Sequence, residues 1–292
     1  MWLVALMIGC GGGAADSATE TQQDARFDDA TWPVEIGGEE RPATVMFPSD
    51  YDGESLLPVV VLLHGYSANS VLQELYFQLS PLVDEYGFVY VLPDGTVDEG
   101  GSMFWNATPG CCDLYGSGVD DVSYLLSLLD EVEASFPVDL DRVYFSGHSN
   151  GGFMSYRMAC EAADRIAGVA SLAGATFMDE SDCLATQPVS VLQIHGDADS
   201  VIRYEGDFYY PGAVETVERW AERASCDVAG PQTESVDLFS TEEGEETEVI
   251  VYPGCDAETD VRLWTVADGS HVPAFGETFS RSLLDWLLAQ RR

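Results

Sequence analysis

Between Arg142 and Cys160 the chain passes from a strand-like run, Arg142-Val143-Tyr144-Phe145-Ser146, to a helix-like one, Gly151 to Cys160, through Gly147-His148-Ser149-Asn150-Gly151-Gly152. A serine set between glycines at this junction constrains the fold more than any other feature. The G-x-S-x-G pattern forms a turn so sharp that the serine hydroxyl is lifted clear of the backbone, and the turn closes only where its neighbours are small. The strand that feeds it has a counterpart upstream. Leu57 to Leu63, LPVVVLL, is apolar without alternation, as in a strand covered on both faces.

Further strands are predicted near 41 to 47, over Phe88 to Leu92, Ile166 to Leu172, Val189 to Ile194 and Arg262 to Val266. Helices are predicted from the end of His64-Gly65-Tyr66-Ser67-Ala68 through Leu82, and over Val119 to Val132, Ala213 to Arg223 and Thr278 to Leu288. Residues 96 to 118 read as an ordered loop, and the acidic stretch 234 to 248 as a solvated excursion without a core pattern. Alternating strands and helices predict an α/β fold with a mostly parallel central sheet flanked by helices, whose ligands gather at the carboxyl ends of the strands. Residues 31–292 show no break and read as one domain.

A serine hydroxyl is a weak nucleophile until a base takes its proton. The four histidines are His64, His148, His195 and His271. His64 and His195 follow strands, where each would order a loop, and His148 lies inside the tight turn with its side chain expected to point elsewhere. His271, in Asp268-Gly269-Ser270-His271-Val272-Pro273, comes late enough for the chain order serine, acid, histidine and is the candidate base. Asp199, in His195-Gly196-Asp197-Ala198-Asp199-Ser200, is the candidate acid, with Asp197 its rival. Ser149, Asp199 and His271 then form a catalytic triad. The backbone N–H groups of Asn150 and Tyr66 are the candidate oxyanion donors. Trp105 and Phe104 are candidates for a substrate pocket. Asp120 and Asp121 open a helix, where negative charge and a capping side chain are favourable.

The chain holds 51 Asp plus Glu against 12 Lys plus Arg, a formal charge of -39. Such a surface repels polyanions, which excludes nucleic acid as a partner. It also predicts that screening stabilises the fold, so the melting temperature should rise from low salt to about 1 M. A flat or falling melting temperature would contradict this. Residues 1–10, MWLVALMIGC, form an apolar run too short to span a bilayer as a helix and resemble an export signal ending in a lipobox, with Cys10 the lipidated residue. Residues 11–30 are small and polar and read as a flexible linker. Membrane attachment through lipid on Cys10, or secretion, is expected, and so is a monomer.

Without Cys10 six cysteines remain, an even number suited to an oxidising compartment. Cys226 is expected to pair with Cys255, and Cys111 and Cys112 with Cys160 and Cys183 in an unassigned order. No spacing fits a metal site, and neither a metal nor a cofactor is expected.

The segments LLHGYSAN at 62–69, CCD at 111–113, VDDVSYLL at 119–126, RVYFSGHSNGGFMSYRMACE at 142–161, HGDADSVIRY at 195–204 and GSH at 269–271 resemble the secreted polyhydroxybutyrate depolymerase and feruloyl esterase group of the α/β-hydrolases. The resemblance covers roughly residues 40 to 290 and implies that fold, serine esterase chemistry, and the triad and oxyanion donors named above. The ester substrate it implies is a hydroxybutyrate oligomer or a plant-wall aromatic ester. The chain departs from the group at Arg203, often Pro there, and at Val272-Pro273-Ala274, where a tryptophan is usual after the histidine. An acetyl xylan or general short-chain carboxylesterase is an alternative reading. A serine peptidase or a catalytically silent lipid-tethered binding protein are alternatives of other classes.

Overall fold

The run LPVVVLL becomes the strand β3, Leu57–Leu63, in the interior of a ten-stranded sheet. The computed structural model describes residues 34–238 and 244–292. The proposed signal, Cys10 and the linker lie outside these residues. The strands are β1 (Val34–Ile36), β2 (Ala43–Met46), β3, β4 (Val89–Pro93), β5 (Thr96–Val97), β6 (Met103–Phe104), β7 (Val138–His148), β8 (Gly168–Leu172), β9 (Ser190–Gly196), β10 (Gln232–Val236), β11 (Thr247–Tyr252) and β12 (Val261–Val266). The helices are α1 (Ser70–Phe77), α2 (Val83–Tyr86), α3 (Asp121–Ser135), α4 (Asn150–Glu161), α5 (Ala213–Arg223) and α6 (Glu277–Ala289).

The sheet order is β1-β2-β4-β3-β7-β8-β9-β12-β11-β10. Pairings from β4 through β12 are parallel, and the two outer pairings on each side are antiparallel. Strands β4, β8 and β9 are buried at every residue, which is why they lack alternation. Their side chains still alternate between two helical layers. Val60, Leu62, Tyr90, Leu192, Ile194 and Trp264 join Phe77 and the α6 residues Phe279, Leu283 and Leu287 in one core cluster. The opposite face carries Val59, Val61, Phe145 and Gln193, and there Tyr156 of α4 bonds Gln193 (2.8 Å).

Several expectations are corrected. The helix after Ala68 stops at Phe77 instead of running to Leu82, because Gln78 turns left-handed (φ 53°) and Ser80-Pro81-Leu82 winds as a separate 3-10 turn. The carboxylate of Glu74 accepts the freed N–H groups of Leu79 (3.3 Å) and Ser80 (2.8 Å). The loop 96–118 contains a small β5–β6 hairpin. The acidic stretch is tied into the sheet at both ends, since β10, which ends at Val236, pairs over five residues with β11, which begins at Thr247. β10 is exposed along almost its whole length, so it is held by backbone bonds and carries no apolar pattern to read.

Cys226 bonds Cys255 as expected, but Cys111 bonds Cys112 and Cys160 bonds Cys183. Cys160, near the end of α4, has Cys183 within reach at a Cα separation of 4.9 Å. Thr108 and Cys111 exchange backbone hydrogen bonds of 2.9 and 3.0 Å, folding 108–111 into a closed turn that keeps Cys111 with its neighbour.

Candidate active site

Ser149 sits where β7 ends and α4 begins, at φ 54° and ψ -119°, a backbone region that costs energy for any residue with a side chain. The glycines around it explain how the turn closes. A Cβ on Gly151 would lie 2.1 Å from the Leu63 carbonyl oxygen, and one on Gly147 2.5 Å from Gly151. The Ser149 N–H donates to the Leu172 carbonyl (2.8 Å), and its own carbonyl accepts the Phe153 N–H (3.0 Å). The turn is therefore pinned on both sides.

Asp199 and His271 come together across 72 residues, with Nδ1–H of the histidine donating to Oδ2 of the carboxylate at 2.7 Å. The other oxygen, Oδ1, accepts the backbone N–H groups of Val201 (2.8 Å) and Ile202 (3.0 Å). Burial pushes this carboxyl up, but hydrogen bonds from His195, His271 and Val201 outweigh it and hold the group well below the usual carboxylate range. Asp197, the rival, is exposed and stands outside this set.

His195, 1% exposed, extends the network behind the acid. Gln193 Nε2–H donates to its Nδ1 (3.0 Å), so the imidazole carries its proton on Nε2, which donates to the Ile202 carbonyl (2.8 Å) and lies 3.5 Å from Asp199. Gln193 and His195 stand two apart on one face of β9. A glutamine in a strand buried at every residue is a signal, legible in sequence, that partners wait for it.

The loop after β3 faces the serine. A Cβ on Gly65 would lie 3.5 Å from the Ser149 Cβ. The Gly65 carbonyl accepts from His64 Nδ1–H (2.8 Å) and from the Ala68 N–H (3.1 Å). In a planar trans peptide the carbonyl and the following N–H point in opposite directions. Holding the Gly65 carbonyl toward His64 therefore turns the Tyr66 N–H away from it. Burial lowers the His64 pKa, keeping the ring neutral, and its Nε2 accepts the Gly95 N–H at 2.9 Å. The Tyr66 hydroxyl is held outside by Asp98 (2.6 Å). Asn150, the first residue of α4, has one of the N–H groups that a helix leaves without an internal acceptor.

Trp105 and Phe104 are not where a pocket wall is needed, because both are 0% exposed. The backbone of Trp105 is clamped by the Asn150 side chain, which accepts its N–H (2.7 Å) and donates to its carbonyl (2.8 Å), while the indole N–H donates to the His64 carbonyl (3.0 Å). Trp105 thus joins the loop after β3 to the start of α4. Asp120 caps α3 through the Ser123 N–H (3.0 Å), as its position in the sequence implied.

His148 departs from expectation. Its ring points into the site, 4.8 Å from the His271 ring, and Nε2–H donates to the His271 carbonyl at 2.8 Å. No pattern in the sequence marks a contact 123 residues away. Burial, with the neighbouring His271, pushes the imidazole down to about 4 from 6.5. Between those values the unfolded chain takes up a proton here that the folded chain refuses, so this residue's contribution, full above pH 6.5, is lost as pH falls toward 4. The melting temperature of wild type should accordingly fall more steeply across that window than that of His148→Gln. Parallel curves would show that His148 is not buried in its neutral form.

A ten-stranded, mostly parallel sheet with its serine turn, carboxylate and imidazole loops at the strands' carboxyl ends defines an α/β-hydrolase fold. The fold superposes on that of acetyl xylan esterase from Aspergillus awamori with a TM-score of 0.64 at 15% identity, covering 87% of this chain and 97% of that one. Residues 45–217 match the family model described as Esterase PHB depolymerase, and the chain belongs to that family.

Among its relatives, feruloyl esterase D of Neurospora crassa is 26% identical over 256 residues, 84% of this chain and 78% of that protein. Feruloyl esterase B of Piromyces equi is 26% identical over 249 residues, 81% of this chain. NocK of Nocardia uniformis subsp. tsuyamanensis, which carries an esterase name, is 35% identical over 149 residues, 51% of this chain. The chain spans less than half the length of these last two relatives, 44% and 42%.

Proposed function

We propose that this protein is an exported carboxylic ester hydrolase that works through an acyl-enzyme on Ser149. The observation that carries the reading is the Asp199–His271 hydrogen bond at the same strand ends as a serine in a strained, glycine-flanked turn. His271 Nε2 takes the hydroxyl proton as Ser149 Oγ bonds the ester carbonyl carbon. The oxyanion is met by the N–H groups of Tyr66 and Asn150. As the tetrahedral intermediate collapses, the carbon–alkoxy bond breaks and His271 gives its proton to the departing alcohol. Water, deprotonated by the same imidazole, then releases the acid and restores the serine. Asp199 holds the imidazole with its proton on Nδ1, leaving Nε2 free to accept.

The names of the relatives and of the family point to two substrate classes, hydroxycinnamate esters and hydroxybutyrate oligomers. Three disulfides among the described residues support an oxidising compartment, and Cys10 is the residue at which a lipid would be attached. Among the described residues no helix is long and apolar enough to cross a membrane.

Product release by mass spectrometry from a mixed panel tests the substrate. The panel holds methyl ferulate, an acetylated sugar, short-chain esters, hydroxybutyrate oligomers and a peptide amide, with Ser149→Ala as control. Ser149-dependent release of ferulate or hydroxybutyrate is expected. Turnover of the amide alone, or of nothing by a folded protein, would overturn the reading.

A further inference from the structure

We propose that His148 is a positioning residue for the base, tying the turn that presents Ser149 to the loop that carries His271. The inference rests on the reading of Ser149 and His271 given above.

Residue 148 immediately precedes the serine, in a turn whose backbone is fixed by β7 and by the Ser149 bond to Leu172. From there the buried imidazole reaches the main-chain carbonyl of residue 271 at 2.8 Å. A carbonyl can only accept, so the bond fixes the proton on His148 Nε2. The same residue 271 is held through its side chain by Asp199 at 2.7 Å. A histidine has two side-chain torsions. Once its backbone carbonyl and its Nδ1 are both anchored, the direction of its Nε2 is set.

The rest of the loop is anchored independently. Gly269 is bonded through its carbonyl to the Ala198 N–H (3.0 Å) and through its N–H to Val266 (3.1 Å). The Tyr76 hydroxyl donates to the Pro273 carbonyl (2.9 Å), and the Tyr76 ring packs edge-on against His148, centroids 5.4 Å apart. Between these two anchors, His148 refers His271 to the serine's own turn. Without it the base would still be oriented toward Asp199, yet its separation from Ser149 Oγ would depend on loop breathing.

Three variants separate positioning from packing. His148→Leu fills the space without a donor, and kcat should fall about tenfold to a hundredfold, since displacing a reacting group by about 1 Å costs that much. KM and the melting temperature should stay near wild type. In His148→Gln the amide nitrogen lies as many bonds from Cα as the imidazole Nε2, so kcat should recover. His148→Asn, one bond shorter, should resemble His148→Leu.

A wild-type kcat in His148→Leu would overturn the proposal, as would equal rates in the Gln and Asn variants. That second comparison stands even if the leucine variant fails to fold. Fluorophosphonate labelling separates this proposal from the reading beneath it. Unlabelled wild type would sink the Ser149 mechanism itself, whereas wild type and His148→Leu labelled at one rate would sink only the role of His148.

Discussion

Asp199→Asn is expected to lower kcat by about ten-thousandfold with the fold intact, an effect of the size that a wrong histidine tautomer produces. The local hydrogen bonds dictate how the new amide must lie. Two backbone N–H groups, from Val201 and Ile202, point at Oδ1 and will claim the single amide oxygen. The NH2 group is then left facing His271, where the carboxylate oxygen had accepted the Nδ1 proton. A donor in that place forces the histidine to keep its proton on Nε2, the nitrogen that the proposed mechanism needs free to receive one from Ser149. His195 Nε2–H, 3.5 Å from the same position, would favour the opposite orientation, but it already donates to the Ile202 carbonyl at 2.8 Å, so the two backbone donors decide. Steady-state rates together with a melt decide the matter. A variant that is folded and keeps a tenth or more of wild-type kcat would show that another group serves the base.

Trp105→Ala is expected to cost about 3–5 kcal/mol of stability, the range for truncating a large buried aromatic side chain. The ring is fully enclosed, 5.1 Å from His64 and 6.5 Å from Tyr124 between centroids, with the Arg41 guanidinium 5.7 Å above it. Its loss removes those contacts and strands the His64 carbonyl, whose indole donor disappears. Trp105→Phe should recover most of the loss, because it refills the volume and forfeits one hydrogen bond. Chemical denaturation of the three proteins measures it. A melting midpoint unchanged in Trp105→Ala, together with an altered ester preference, would return this residue to the substrate pocket.

The framework was legible because its signals are local. β3 and α5 have the bounds read from the sequence, since an unbroken apolar run and a helical period each depend only on neighbours. The Asp199–His271 contact was legible from the order of the segments along the chain, which the parallel topology converts into proximity at one end of the sheet. What escaped notice depends on pairs without a pattern. β10 joins the sheet through its backbone pairing with β11 and packs Val236, at its end, against the core, while the four exposed residues before it carry no period. Tryptophan and phenylalanine in a glycine-rich loop look alike whether they wall a cavity or fill the core, and Trp105 is claimed for the core by the two-way clamp from Asn150. His148 sits in the most readable segment of the chain, yet the carbonyl it seeks belongs to a loop known only from the folded arrangement.

Charge enters the account as a background field. Ion pairs such as Arg281 with Glu85 and Arg291 with Asp139 are exposed and contribute little one by one. Arg41 with the buried Asp121 differs, since burial raises that carboxyl's pKa while the Asn106 N–H and the guanidinium at 2.9 Å oppose the rise. It anchors α3 next to Trp105, through Arg41 over the Tyr124 ring at 3.7 Å.

The central claim is that Ser149 forms a covalent intermediate, and the most direct measurement is intact and peptide mass spectrometry after brief exposure to a fluorophosphonate. The account predicts a single phosphonyl adduct on the peptide containing Gly147-His148-Ser149, absent in Ser149→Ala and strongly slowed in His271→Ala. No adduct on a folded wild-type protein, or an adduct that persists at another residue in Ser149→Ala, would contradict it.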